Sequence, residues 1–157
     1  NINIHGVVSA AEMFEKAKSL HASADIVIFS AAVADYKPKS VESEKIKKAE
    51  ADMDIQLEKT VDIAAQLGAL KGSHQLHVGF ALETSKGYDQ AKDKLKRKHF
   101  DMVVLNSLQD KGAGFNHDTN KVSFIFKDNK KQDFKLKNKV EVASDLADAI
   151  FSIKTRK

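Results

Sequence analysis

Residues 25–35 read DIVIFSAAVAD, and this stretch indicates both a kind of sheet and a place for a ligand. Residues 25–30 form a short, almost wholly apolar run, which is typical of a strand covered on both faces. Small residues follow at positions 31–34, and they would let a ligand lie close against the backbone. Asp35 then places a carboxylate at the rim. Because ligands of parallel sheets bind beyond the carboxyl ends of the strands, we expect a binding site here.

The sequence around this stretch alternates between strand and helix periodicity. Apolar runs predict further strands at residues 2–8, 53–57, 76–81 and 101–105, and a hairpin near Asp128 and Asn129 from residues 122–126 and 133–136. Apolar stripes predict helices at residues 9–21, 60–68, 88–98 and 140–153, the first started by a capping box of Ser9 and Glu12 and the second capped by Thr60. This order predicts an α/β fold, a Rossmann-like, mostly parallel sheet flanked by helices with a small antiparallel addition. Without a repeat or a linker, the 157 residues are expected to form a single domain.

Composition excludes several classes of protein. The chain has no Cys, which excludes disulfide scaffolds, thiolate nucleophiles and Cys-ligated zinc and is compatible with a cytoplasmic location. No run approaches the roughly 20 apolar residues that span a bilayer, so we expect no membrane partner. The six His residues lack the spacing of helical metal ligands, and we predict no metal site built from protein ligands.

The net charge of +4 favours anionic ligands. Of the 26 basic residues, only Arg97 and Arg156 are Arg, and aromatic residues make up 7% of the chain. Arg is the usual donor for base readout, and aromatic rings are the usual platforms for stacked bases. We therefore expect a solvated, Lys-rich surface and no nucleic-acid partner.

Residues 36–50 contain the single proline, Pro38, among many Lys and Glu residues, which predicts a mobile, Lys-rich loop. Lys45 lies ten residues after Asp35 in the run Lys-Ile-Lys-Lys. A loop that carries this run over a strand end is a sensible lid for phosphates, because Lys supplies compact positive charge. A solvated basic loop is the alternative interpretation.

Two further features lie near predicted strand ends. Phe80 follows Gly79 at the end of an apolar run, where an aromatic ring can flank a flat base or simply belong to the core. Lys94 and Lys98 are four residues apart on a predicted helix and share one face, so they can hold a polyphosphate. The signal is weak, because Lys92 and Lys96 make a similar pair on another face.

Taken together, these segments resemble phosphopantothenoylcysteine synthetase, the ligase family of coenzyme A biosynthesis. The resemblance rests on SAAVADYKPK at 30–39, EKIKK at 44–48, VDIA at 61–64, VGFALET at 78–84, the helix with Lys94 and Lys98 that leads to Asn106, and GFN at 114–116 with Asn120. Several motifs in the right order are far more specific than any one of them.

The resemblance implies a reaction and a set of partners. The bacterial form of the family activates the carboxylate of 4′-phosphopantothenate with CTP and Mg²⁺, and the amine of cysteine then attacks the acyl-cytidylate. It is commonly fused to a flavin-dependent decarboxylase, so FMN would belong to a domain that this chain does not contain. The family is dimeric, with the strand here at residues 53–57 reaching the partner. We therefore expect a homodimer acting on small molecules.

The family's site residues are carried over position by position. The implied nucleotide contacts are Phe29, Ser30, Ala31, Asp35, Lys45, Val61, Asp62, Ile63, Ala64, Phe80, Lys94 and Lys98. Ala32 is the implied contact for the acid substrate, and Lys45 is the implied catalytic residue.

The sequence departs from the family in two places. The family usually has Asn-Pro where this chain has Thr60-Val61, so the base pocket is expected to differ slightly in shape. Family members also carry an N-terminal portion with a Gly-Gly-Thr segment and a Ser-Ser-Gly loop, and neither motif is found in this sequence. We therefore expect the C-terminal part of a synthetase domain that is inactive alone. The alternative is a catalytically inactive nucleotide-binding or regulatory domain of the same fold.

Overall fold

A computed structural model describes residues 1–46, 53–83, 87–107 and 117–155. The helices are α1 (Ala10–His21), α2 (Ile63–Ala69), α3 (Gly87–Arg97) and α4 (Lys139–Lys154). The strands are β1 (Ile26–Phe29), β2 (Tyr36–Pro38), β3 (Leu57–Lys59), β4 (Leu76–Glu83), β5 (Met102–Ser107), β6 (Thr119–Asn120), β7 (Val122–Phe126), β8 (Lys131–Asp133) and β9 (Lys137–Asn138). Across these ranges no helix combines the length and the apolar character needed to cross a bilayer.

A five-stranded sheet in the order β1-β4-β5-β7-β8 forms the centre of the fold. β1, β4 and β5 are parallel, and β7 and β8 continue the sheet in antiparallel sense. Two antiparallel ribbons, β2 with β3 and β6 with β9, are separate from it. The predicted α/β fold with a small antiparallel addition is therefore confirmed. The predicted hairpin is also confirmed, although its second strand lies at Lys131–Asp133 and not at residues 133–136. Asn129 in its turn has a φ of 66°, which Asn tolerates better than most residues.

Helix α4 packs on one face of the sheet. Its buried side chains Val142, Leu146 and Ile150 recur at helical spacing, as the sequence predicted. They pack against alternate strand residues, namely Leu76, Val78, Met102, Val104, Val122 and Phe124. Because strand side chains alternate between faces, this set leaves the intervening residues for the other side.

The opposite face depends on the close approach of Phe100 to β4. A Cβ atom built at Gly79 would overlap the Phe100 ring, so only glycine lets the ring lie across the strand. The Phe100 ring also lies 5.4 Å from the Phe29 ring, measured between centroids. Ala91 and Leu95 of α3 complete this second core cluster.

Residues 2–8 are not a strand, which corrects the sequence prediction. Ile2 and Ile4 are 90% and 89% exposed, and no strand in the described ranges pairs with this segment. An alternating apolar pattern becomes a strand only where a neighbouring edge satisfies its backbone groups. The predicted capping box forms only in part: Ser9 accepts from the Glu12 amide at 3.2 Å, but Glu12 accepts from the Val8 amide at 2.9 Å and not from the Ser9 amide.

Strand β1 is also less covered than its sequence predicted. Its only pairing partner among the described strands is β4, so it forms an edge of the sheet. Ile26 and Ile28 are 39% and 45% exposed on one face. An apolar run therefore identified the strand correctly but not its coverage.

Three boundaries near the predicted loop move. Tyr36–Pro38 forms β2 rather than loop, because it pairs with β3, while residues 39–46 contain neither helix nor strand and residues 47–50 lie outside the described ranges. The strand predicted at 53–57 is found at Leu57–Lys59. Asp62, and not Thr60, caps α2, since its Oδ1 accepts from the Ala65 amide at 3.1 Å.

A buried histidine pair joins the end of α1 to β4. His21 Nε2 lies 3.1 Å from His77 Nε2, so one ring donates and the other accepts. Burial and then the nearby charge of His74 lower the pKa of His21. The two facing nitrogens can share one proton but cannot both carry one, so the two rings cannot both be protonated while they keep this contact.

The histidine pair predicts a loss of stability in mild acid. A His whose pKa falls on folding excludes a proton that the unfolded chain binds below about pH 6.5, so the free energy of unfolding decreases as the pH drops below that value. The limiting slope is about 1.4 kcal/mol per pH unit for each excluded proton. Urea unfolding between about pH 7.5 and 5.5 measures this slope. The variant His21→Gln keeps a hydrogen-bonding side chain and should reduce the slope of the free energy of unfolding against pH. An unchanged slope would contradict its assignment to His21.

Gly79→Ala is expected to destabilise the protein by about 1–3 kcal/mol, because the new methyl group must displace the Phe100 ring. Gly6→Ala is the matched control, since nothing lies within 4 Å of a Cβ built there. Urea unfolding of both variants measures the difference. Equal midpoints for the two would show that Phe100 does not need the space above Gly79.

Candidate functional site

A cavity of about 310 Å³ opens at the carboxyl end of β1. Two chain segments supply most of its lining, the loop after β1 and the start of α2. Met13 and Ala17 of α1 and the side chain of Lys98 complete it. The lining residues of the two segments include Phe29, Ser30, Ala31, Val33, Ala34, Asp35, Thr60, Val61, Asp62, Ile63 and Ala64. The cavity therefore lies where a parallel sheet is expected to bind its ligand.

A second cavity of about 740 Å³ adjoins the first. The two share several lining residues, namely Met13, Ala31, Val33, Ala34, Thr60 and Val61. The second is also lined by Ala32, by residues 7–11 at the start of α1, and by Lys37, Glu58 and Lys59 of the β2–β3 ribbon. The arrangement can hold two ligands, or two parts of one ligand, on either side of the loop that follows β1.

Phe29 is held firmly at the first cavity by other rings. Its ring lies 5.5 Å from the His77 ring and 5.4 Å from the Phe100 ring, between centroids. Edge-on and tilted ring contacts at these separations are favourable. The aromatic wall of the cavity is therefore fixed by the sheet behind it.

Thr60 fastens the loop after β1 to the end of β3. Its hydroxyl donates to the carbonyl of Ala34, and its amide donates to the carbonyl of Asp35 at 2.9 Å. The Lys39 amide donates to the Gln56 carbonyl at 3.0 Å on the far side of the same ribbon. These bonds hold the Asp35 backbone at the cavity.

Asp62 and Lys98 form an ion pair inside the first cavity. Lys98 Nζ lies 2.9 Å from Asp62 Oδ1, the same oxygen that caps α2. Burial alone would raise the pKa of Asp62, but the hydrogen bonds from Lys98 and the Ala65 amide and the charges of Lys98 and Arg97 together hold it below its usual range. A Cβ atom at Gly68 would overlap the Lys98 carbonyl, so this glycine lets α2 approach the chain that carries Lys98.

The structure brings most of the sequence-predicted site residues together. Those that line the first cavity are Phe29, Ser30, Ala31, Asp35, Val61, Asp62, Ile63, Ala64 and Lys98. Ala32 lines the second. Residues separated by about 70 positions in the sequence thus meet at one sheet edge.

Three predicted site residues line neither cavity. Phe80 is partly buried against the α4-side core cluster, the position that its alternative interpretation as a core residue predicts. Lys94 lies on α3 in a surface groove with Gln90 and Arg97. Lys45 is exposed in the segment after β2. Of the quoted motifs, residues 47–48, 84 and 114–116 lie outside the described ranges.

Two cavity features escaped the sequence analysis. Met13 and Ala17 are four residues apart and were expected only as part of the apolar stripe of α1. Thr60 was expected as a helix cap, yet its hydroxyl is engaged by Ala34. Helical spacing indicates a buried face but not that the face borders a cavity.

The first cavity is lined by charges of both signs. Lys98 contributes a cation, Asp35 and Asp62 contribute carboxylates, and small residues of the loop after β1 lie between them. In the described ranges no cluster of three or more His, Asp or Glu could hold a metal ion.

Comparison with known proteins is consistent across sequence and structure. The family described as DNA/pantothenate metabolism flavoprotein C-terminal domain matches residues 1–153. The Coenzyme A biosynthesis bifunctional protein CoaBC of Bacillus subtilis is 41% identical over 147 residues, covering 94% of this chain and 36% of that protein. A cysteine/cysteine sulfinic acid decarboxylase of an unknown prokaryotic organism is 48% identical over 153 residues, covering 98% of this chain and 43% of that protein.

The fold is also that of a solved relative. The crystal structure of the C-terminal domain of Coenzyme A biosynthesis bifunctional protein CoaBC superposes with a TM-score of 0.76 at 37% identity, covering 96% of this chain and 67% of the other. The chain spans about two fifths of the length of the curated relatives described above. The sequence match and the shared fold agree, and the chain belongs to the DNA/pantothenate metabolism flavoprotein C-terminal domain family.

Proposed function

We propose that this chain forms the C-terminal part of a ligase domain that joins 4′-phosphopantothenate to cysteine, using CTP and Mg²⁺. The observation that carries the proposal is the first cavity. It unites the loop after β1, the start of α2 and Lys98 in a chain that is 41% identical to a coenzyme A biosynthesis bifunctional protein. Because the chain spans only part of such proteins, the reaction is assigned to the full-length protein.

The cation distribution supports a triphosphate substrate. A carboxylate and a triphosphate repel each other and meet only where positive charge offsets their own. Lys98 lies in the cavity, Lys94 lies one helical turn before it, and Lys45 lies in the segment between β2 and β3. We assign Lys45 to the charge that builds on the α-phosphate, and Lys94 and Lys98 to the two outer phosphates.

The proposed chemistry proceeds in two balanced steps. A carboxylate oxygen of 4′-phosphopantothenate attacks the α-phosphorus of CTP, the bond to the β-phosphate oxygen breaks, and pyrophosphate leaves. The cysteine amine then attacks the acyl carbon, loses a proton and expels CMP, which leaves the amide. No enzyme nucleophile is needed, in agreement with the absence of Cys. Excluding water strengthens the electrostatic effect of a Lys on the first step.

Mg²⁺ would arrive with the nucleotide. This ion is commonly bound by substrate phosphates with one or two carboxylates, and the Asp35 side chain at the first cavity is a donor of that type. When bound, the ion would neutralise charge on the triphosphate. FMN is assigned to a decarboxylase domain of the full-length protein. We likewise assign the decarboxylase activity in the name of one relative to its part outside the 43% that aligns.

The exposed β2–β3 ribbon supports a homodimer. Every residue of both strands is exposed, and Tyr36 and Leu57 present large apolar side chains. Exposed edges of this kind pair readily with a second copy. We propose that β3 reaches the partner and that the protein acts in the cytoplasm.

A nucleotide-binding or regulatory domain that has lost catalysis is the second candidate. Three predicted site residues, Lys45, Lys94 and Phe80, lie outside both cavities, which favours it. The two candidates agree on nucleotide binding and differ on turnover.

The 157-residue chain is expected to bind CTP more tightly than ATP and, by itself, to form no product. Calorimetric titration with each nucleotide and Mg²⁺ measures the first, and a product assay measures the second. Equal affinity for the two nucleotides would contradict the assignment of the cavity to CTP. Detectable synthesis of the amide by this chain alone would contradict the assignment to the full-length protein.

Lys45→Ala in the full-length protein is expected to lower kcat by about 10²- to 10³-fold, because one preorganised charge is removed from the transition state. CTP affinity should change less. Lys39→Ala is the matched control, a lysine of the same segment with no assigned role. A similar loss of kcat in both variants would show that the effect comes from the general charge of the segment. No loss of kcat in either variant would favour the non-catalytic candidate.

A further inference from the structure

Thr60 is the structural joint between the two cavities. It lines both of them, and so do Ala31 and Ala34 of the loop that separates them. The loop leaves β1 at Ser30 and reaches β2 at Tyr36, so its conformation decides where the Asp35 carboxylate lies. A residue that fixes this loop acts on both cavities at once.

The two hydrogen bonds of Thr60 differ in what they depend on. The hydrogen bond from the Thr60 amide to the Asp35 carbonyl is 2.9 Å long, and any residue except proline can donate it. The hydroxyl bond to the Ala34 carbonyl requires Thr or Ser at this position. The side chain therefore adds a second, separable anchor to adjacent peptide units of the loop.

The Thr60 hydroxyl is not needed for the neighbouring helix. Asp62 caps α2 through its own carboxylate, which accepts from the Ala65 amide at 3.1 Å. Removing the hydroxyl thus leaves the helix cap and the Asp62–Lys98 ion pair in place. Its effect should be confined to the loop after β1.

We infer that Thr60 is a positioning residue that holds Asp35 and the adjacent backbone in the geometry that nucleotide binding requires. This inference rests on the proposed function for the identity of the ligand, CTP. The hydroxyl touches no reacting atom and acts through the Ala34 carbonyl. Without it, the carbonyl must find another donor or water, and the loop can move away from the cavity.

Thr60→Val tests the inference, because Val has nearly the same shape as Thr and no hydroxyl. Calorimetric titration of the 157-residue chain should show about 3- to 10-fold weaker CTP binding, the range expected for one lost hydrogen bond. Thr60→Ser keeps the hydroxyl and should restore most of the affinity. Val binding as tightly as Thr would overturn the inference. Equal losses in Thr60→Val and Thr60→Ser would do the same, since Ser keeps the hydroxyl and the hydroxyl would then not account for the affinity.

A second readout does not depend on any nucleotide. Amide hydrogen exchange of residues 30–37 in the free chain should be faster in Thr60→Val and unchanged in Thr60→Ser, while α4 exchanges equally in all three. If the three chains show this exchange pattern but the unaltered chain does not bind CTP, the loop anchor stands and the proposed function fails. If exchange at 30–37 is the same in all three chains, the anchor itself is wrong.

Discussion

The contact between Phe100 and the bare backbone of Gly79 fixes much of what surrounds the first cavity. Because no side chain stands at Gly79, the Phe100 ring crosses β4 and reaches Phe29 at the end of β1. Phe29 in turn meets His77, whose ring is bonded to His21 at the end of α1. The space left at Gly79 therefore allows a continuous series of ring contacts that joins α1, β1 and β4. The loop that follows β1 begins at these contacts.

The first cavity combines an aromatic wall with charges from three separate parts of the chain. Its aromatic side is packed into the sheet, while Asp35, Asp62 and Lys98 come from the loop after β1, the start of α2 and the residue after α3. In the free chain Lys98 is neutralised by Asp62, so a phosphate would have to compete with a carboxylate for it. The ion pair also holds the Lys98 side chain at the cavity.

The sequence predicted the architecture well because its strongest signals are local. Each of these signals involves neighbouring residues: the apolar runs of β4 and β5, the apolar stripe of α4 and the Ser9 cap on the Glu12 amide. It failed where the outcome depends on a distant partner. Residues 2–8 have a strand pattern but no edge to pair with among the described residues, and Thr60 has a capping side chain that the Ala34 carbonyl engages first. Nine residues of the first cavity were named through the resemblance, whereas Met13, Ala17 and the two hydrogen bonds by which Thr60 holds the loop were not.

The open side of β1 has a consequence for how the chain behaves at high concentration. Among the described strands β1 pairs only with β4, and its Ile side chains are partly exposed, so this edge is a template for strand addition. A dimer formed through β1 would have the same mass as the dimer proposed through the β2–β3 ribbon. Only a method that reports which strand is covered would distinguish pairing through β1 from the dimer proposed through the β2–β3 ribbon.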